Sequence, residues 1–124
     1  MAAILIVDDD AHVRNLVSAA VAREGFSVGT ARNGREALAM LQRKGGWDAV
    51  ITDLHMPGMD GLDLVRELRT RDATLPVIMV SGDPEACSAP VFAALSKPVD
   101  LDALLSTLDA ALVRRLSPEG QGTI

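Results

Sequence analysis

Short apolar runs alternate with amphipathic stretches along nearly the whole chain. Residues 4–7 are a continuous apolar run, the pattern of a strand buried on both faces. Val13, Leu16, Val17, Ala20 and Val21 follow at helical spacing, with Arg14 and Arg23 off that face and Gly25 as a stop. Residues 26–31 predict a second strand. Asn33 then starts a helix, with Glu36 placed to complete a capping box and Ala37, Leu38 and Leu41 on its inner face; Gly45 and Gly46 end it. Trp47 leads into Ala49, Val50 and Ile51, a third buried strand that ends on Thr52 and Asp53. Leu62, Val65 and Leu68 predict a third helix, with Asp60 near its start. Pro76 opens a fourth strand over residues 77–80, and residues 93–95 make a short fifth. Asp100 caps a last helix that carries Leu101, Leu104, Leu105, Leu108 and Leu112.

Five strand–helix units in succession predict an α/β fold: a parallel sheet with helices on both faces and right-handed crossovers. No internal repeat or low-complexity linker interrupts them. The chain has no glycine-rich phosphate loop, so a flavodoxin-like, doubly wound order 2-1-3-4-5 fits best. One domain is expected over residues 1–116, with a frayed Gly-rich tail over 117–124. The crossover between the fourth and fifth strands is the exception to the pattern. It spans about residues 82–92 and holds Pro84 and Pro90, where a parallel crossover needs roughly a dozen residues. Proline can begin a helix but not continue one, so this element is expected to be one or two turns at most, or irregular.

Composition narrows the function classes. The 124 residues are 48% hydrophobic, enough to bury a core, and the net charge of −5 gives no footprint for nucleic acid or an anionic membrane surface. One cysteine, Cys87, excludes a disulfide framework and fits a reducing compartment. No apolar stretch reaches the length of a signal peptide core or a membrane span, so the chain reads as a soluble cytoplasmic domain.

The acids carry the chemistry. In the expected order, strands one and three lie side by side, and ligands bind outside the carboxyl ends of the strands. Asp8 and Asp9 end strand one and Asp53 ends strand three, so three carboxylates meet in one cleft. Crowded carboxylates repel unless a cation neutralises them, and oxygen-only ligands suit Mg²⁺. Asp10 is read as the cap of the first helix. The bland account, that acids at strand ends merely cap the next helix, covers Asp8 to Asp10 but not Asp53, which Leu54, His55, Met56 and Pro57 follow. Ser81 ends strand four and Lys97 follows strand five, which adds a hydroxyl and an ammonium to the same edge. Singly, such residues are turn formers or surface charges; jointly they are much harder to assign to chance.

The chain resembles the receiver domain of two-component response regulators. The resemblance rests on Ile6-Val7-Asp8-Asp9-Asp10, on Thr52-Asp53-Leu54-His55-Met56-Pro57-Gly58-Met59-Asp60-Gly61, on Val80-Ser81-Gly82 and on Ser96-Lys97-Pro98, in that order along the chain. It implies that Asp53 takes a phosphoryl group from a phosphohistidine on a sensor histidine kinase or phosphotransfer protein. It implies that Asp9, Asp53 and the backbone carbonyl of His55 bind Mg²⁺, with Asp8 acting mainly through a metal-bound water. It gives Ser81 and Lys97 contacts to the phosphoryl oxygens, Pro98 a cis peptide bond, Gly61 a turn, and Met56 and Pro57 the loop over the site. The His55 side chain, with Asp83, is expected at the lip of the cleft, and His12 on a helix surface. Downstream, an unidentified protein or output domain is implied, and no turnover substrate.

The chain departs from that family in two places. Ala94 stands where receivers usually carry an aromatic switch residue; Phe92 is two residues away, expected on the same face but about 7 Å along the strand. The short crossover removes part of the usual output surface. Ordering of that segment, rather than aromatic rotation, is therefore the expected switch. Competing readings are a Mg²⁺-dependent aspartyl phosphatase, which usually needs an acid at the position of His55, and a pseudo-receiver, which the intact acids argue against. A flavodoxin has only Trp47 and two phenylalanines to stack a flavin. The leucine-rich last helix leaves a homodimer open, although docking on the sheet is the plainer account. Nothing in the residues separates a single-domain regulator from a receiver cut from a longer protein.

Overall fold

The computed structural model describes residues 2–116; the tail expected over 117–124 and the side chain of Leu116 lie outside the described residues. Five parallel strands form one sheet, β1 (Ala3–Val7), β2 (Ser27–Ala31), β3 (Ala49–Asp53), β4 (Val77–Ser81) and β5 (Ala93–Ser96), in the order β2-β1-β3-β4-β5. Four helices join or follow them: α1 (Ala11–Arg23), α2 (Gly34–Arg43), α3 (Gly61–Arg69) and α4 (Leu101–Leu116). This is the flavodoxin-like arrangement that the alternation predicts.

The strands alternate between two cores, as buried parallel strands must. Leu5, Val7, Val50, Val77 and Met79 pack under α2 and α3. Ile4, Ile6, Ile51, Ile78 and Val80 pack under α1 and α4. Leu104 and Leu108 of α4 are fully buried there, each contributing roughly 1.5–3 kcal/mol of transfer free energy. Leu112, one helical turn further on, is also buried. That face therefore docks on the sheet. Leu16 corrects the α1 pattern: it is 46% exposed, and Val17, Ala20 and Val21 carry the contact.

Caps set the helix starts. The Asp10 carboxylate accepts from the His12 and Val13 amides, so it caps α1 as expected. Asn33 accepts from Glu36 N at 2.8 Å, but the Glu36 carboxylate turns to Arg32 N instead of closing the box. A full capping box forms at α3, where Asp60 and Asp63 exchange bonds. A second anchor lies at the amino-terminal edge of the sheet. Arg115 of α4 donates to Asp72 Oδ2 at 3.0 Å and to Thr74 Oγ1 at 2.8 Å. Burial pushes the Asp72 carboxyl up, but its bonds from Arg115 and Thr74 outweigh this and hold it at about 2.

The crossover between β4 and β5 has no α-helix. A single 3-10 turn, Pro84–Ala86, is followed by irregular chain to Phe92. Phe92 precedes β5 and packs with Leu95 on the α1/α4 side, whereas Ala94 packs on the α2/α3 side. The expectation of a shared face fails because the alternation slips where the chain enters the strand. No described β5 residue is aromatic.

Candidate functional site

Register brings the acids together. Val7 pairs with Thr52 across β1 and β3, so the residues that follow, Asp8 and Asp53, end adjacent strands. Carboxylate oxygens of Asp8, Asp9 and Asp53 lie within 4.8 Å of one another. Asp8 and Asp53 are buried, at 5% and 6% exposure, while Asp9 faces solvent. Lys97 Nζ, carried past the end of β5, sits 3.3 Å from Asp53 Oδ2 and 3.8 Å from Asp8 Oδ2. Its peptide bond to Pro98 is cis, as expected. Ser81, at the end of β4, is 1% exposed. One amine among three carboxylates leaves the cluster short of positive charge. Burial pushes the Asp8 carboxyl up, the Asp10 amide draws it down, and Asp53 and Asp9 raise it while Lys97 lowers it; the balance is upward.

The backbone around these side chains is held closely. Asp8 Oδ1 accepts from Asp10 N at 2.9 Å, and Thr52 Oγ1 donates to the Asp53 carbonyl at 2.9 Å. Gly61 N donates to the Leu54 carbonyl at 2.8 Å, closing the loop that leaves Asp53. Gly61 does not make the turn in that loop; Gly58, at φ +76°, does. Gly61 is needed for close approach. A Cβ there would meet the Asp53 carbonyl oxygen and lie 2.9 Å from Met79 Sδ. Met56 is buried beneath the loop, and His55 is exposed beside an open depression with Pro57 and Asp60. The His55 imidazole is outside the carboxylate cluster. His12 is exposed on α1, as expected, and Asp83 is exposed as well.

Two contacts escape the sequence reading. Arg14, one turn into α1, donates to the Asp8 carbonyl at 2.8 Å. Helical side chains lean toward the helix N-terminus, so an arginine four residues after the Asp10 cap could have been placed at the strand end. Ser81 Oγ accepts the Asp83 amide at 3.0 Å, a local bond that serine in a turn commonly makes.

Residues 4–109 match the family model for the response regulator receiver domain. The chain belongs to the response regulator receiver family. It is 41% identical over 115 residues to the transcriptional regulatory protein GlrR of Escherichia coli, covering 88% of this chain and 26% of that protein. It is 34% identical over 113 residues to the DNA-binding transcriptional regulator NtrC of Salmonella typhimurium, covering 86% of this chain and 24% of that one. The receiver thus spans about a quarter of the length of these regulators. Among solved structures, a receiver domain protein from Clostridium thermocellum superposes with a TM-score of 0.86 at 29% identity, over 93% of this chain and 97% of that one. The chemotaxis protein CheY4 of Vibrio cholerae superposes with a TM-score of 0.79 at 34% identity, over 90% and 99%. Among the described residues, no helix is long and apolar enough to cross a membrane.

Proposed function

We propose that Asp53 is the phosphoacceptor of this receiver and that Ser81 and Lys97 assist the transfer. The reading rests chiefly on Lys97 Nζ lying 3.3 Å from a buried Asp53 that shares its cleft with Asp8 and Asp9. An Asp53 carboxylate oxygen attacks the phosphorus of a phosphohistidine on a sensor histidine kinase or phosphotransfer protein. The phosphorus–nitrogen bond breaks, the imidazole leaves with the electron pair, and Asp53 holds an acyl phosphate. Lys97 stabilises the charge on the phosphoryl oxygens, and the Ser81 hydroxyl donates to one of them.

The donor set fits a hard divalent cation: three oxygen ligands within 4.8 Å, two of them buried, and a single ammonium beside them. Asp8, Asp9, Asp53 and the main-chain carbonyl of His55 would hold Mg²⁺. When bound, it supplies positive charge that offsets the repulsion between the carboxylates and an incoming phosphoryl group. Incubation with acetyl phosphate and Mg²⁺ is expected to add one phosphoryl group per chain, read by intact mass, and EDTA is expected to prevent it. Continuous phosphate release from varied phosphoesters would instead identify a phosphatase. The setting is cytoplasmic, with an output domain or separate protein downstream.

The signal leaves through the segment that replaces the crossover helix. When the Ser81 hydroxyl turns to a phosphoryl oxygen, its bond from Asp83 N is disturbed. The Asp83 carbonyl in turn accepts from Ala86 N at 3.0 Å, which builds the 3-10 turn. No aromatic is available on β5 for the usual rotation. Hydrogen exchange with and without beryllofluoride is expected to differ across residues 82–95; identical protection there would rule this route out.

A further inference from the structure

A groove of about 690 Å³ opens at the amino-terminal edge of β4 and β5, the opposite edge from the carboxylate cluster. Pro90, Val91 and Phe92 contribute its apolar surface, and Arg69, Arg114 and Arg115 its charge. The groove borders the irregular chain that stands in place of a crossover helix. Arg69 fixes that chain: its Nε and Nη2 donate to the Pro90 carbonyl at 3.3 and 3.0 Å, and its Nη1 donates to the Leu75 carbonyl at 2.7 Å. These partners are neutral, so they satisfy the donors and leave the charge in place.

We propose that this groove docks an acidic peptide segment of a partner protein, with an apolar side chain seated against Val91 and Phe92. Charge complementarity carries the assignment. Three guanidiniums line the groove, and among the described residues the Asp72 carboxylate pairs with one of them, Arg115. Arg114 is exposed and has no hydrogen bond or ion pair among the described residues. A local excess of positive charge is unexpected on a chain of net charge −5. Burial lowers the Arg69 guanidinium's pKa from its ordinary value, Asp72 raises it and Arg115 lowers it again, so the two cations repel. An incoming carboxylate would relieve that repulsion, and arginine forks suit carboxylate geometry. The half-buried Phe92 and the apolar floor favour a peptide over nucleic acid, which would need many phosphate contacts. The volume lies in the range of built ligand clefts.

The test uses the full chain and a fluorescein-labelled peptide, Glu-Asp-Leu-Leu-Asp-Glu, followed by anisotropy. Saturable binding is expected, weakened about tenfold in Arg114→Glu and reduced by added salt. The same peptide with lysine at every acidic position is expected not to bind. Arg114→Glu is expected to keep normal phosphoryl uptake from acetyl phosphate, which shows that the variant folds. Absence of saturable binding would overturn the proposal, as would equal affinity in the variant. Displacement of the peptide by a single-stranded oligonucleotide at comparable concentration would assign the groove to nucleic acid instead. A dimer of the unlabelled chain that Arg114→Glu dissolves would assign it to a second copy.

Discussion

An Asp53→Asn chain is expected to take up no phosphoryl group under conditions that fully modify the wild type. The amide is nearly isosteric, so the packing around a residue of 6% exposure survives. Its oxygen carries no formal charge and its nitrogen no free pair, so neither atom attacks phosphorus. The folded state also predicts a second result. Asp53 lies between an attractive partner, Lys97 at 3.3 Å, and a repulsive one, the Asp8 carboxylate. Removing its charge weakens one and relieves the other, while Lys97 keeps Asp8 at 3.8 Å. Because the two effects oppose, unfolding free energy is expected to change by less than the roughly 3–5 kcal/mol that breaking a buried pair outright costs. Intact mass and denaturant titration check the two halves. Phosphoryl uptake by the Asp53→Asn variant, or its spontaneous unfolding, would contradict them.

Lys97→Ala is expected to slow phosphoryl uptake from acetyl phosphate by about 10²–10³-fold, the usual cost of losing one charge-stabilising donor. It is also expected to tighten Mg²⁺ binding. The ammonium competes with a cation for the same carboxylates, so its removal leaves Asp8 and Asp53 more negative toward metal. These opposite signs separate a role in transfer from a general loss of structure, which would weaken both. A mass time course gives the rate and calorimetry gives the metal affinity. Unchanged uptake, or weaker Mg²⁺ binding, would remove Lys97 from the mechanism.

The site was legible because its residues sit at strand ends. Once the alternation gives a parallel sheet in the order 2-1-3-4-5, Asp8, Asp9, Asp53, Ser81 and Lys97 must share one edge, whatever the details between them. The short crossover was legible too, since Pro84 and Pro90 leave no room for a regular helix. What escaped depends on contacts between elements. The tight approach of Gly61 to the Asp53 carbonyl needs the placement of α3 against β3 and β4. Arg14 is a polar residue off the apolar face until α1 is set beside the end of β1. Strand periodicity puts Phe92 on the wrong face when it is carried back through residues that are not strand. Helical spacing counts Leu16 inward because it allows a wider stripe than α1 buries.

The most direct measurement is of the bond itself. The wild-type chain, modified with acetyl phosphate and Mg²⁺, can be reduced with borohydride, which converts an acyl-phosphate aspartate to homoserine. Tandem mass spectrometry of the peptide spanning β3 and the following loop then reads residue 53. Homoserine at position 53, with aspartate retained at 8 and 9, is the result predicted. Homoserine in place of Asp8 or Asp9, or unmodified Asp53 in a chain that has gained a phosphoryl group, would contradict the assignment.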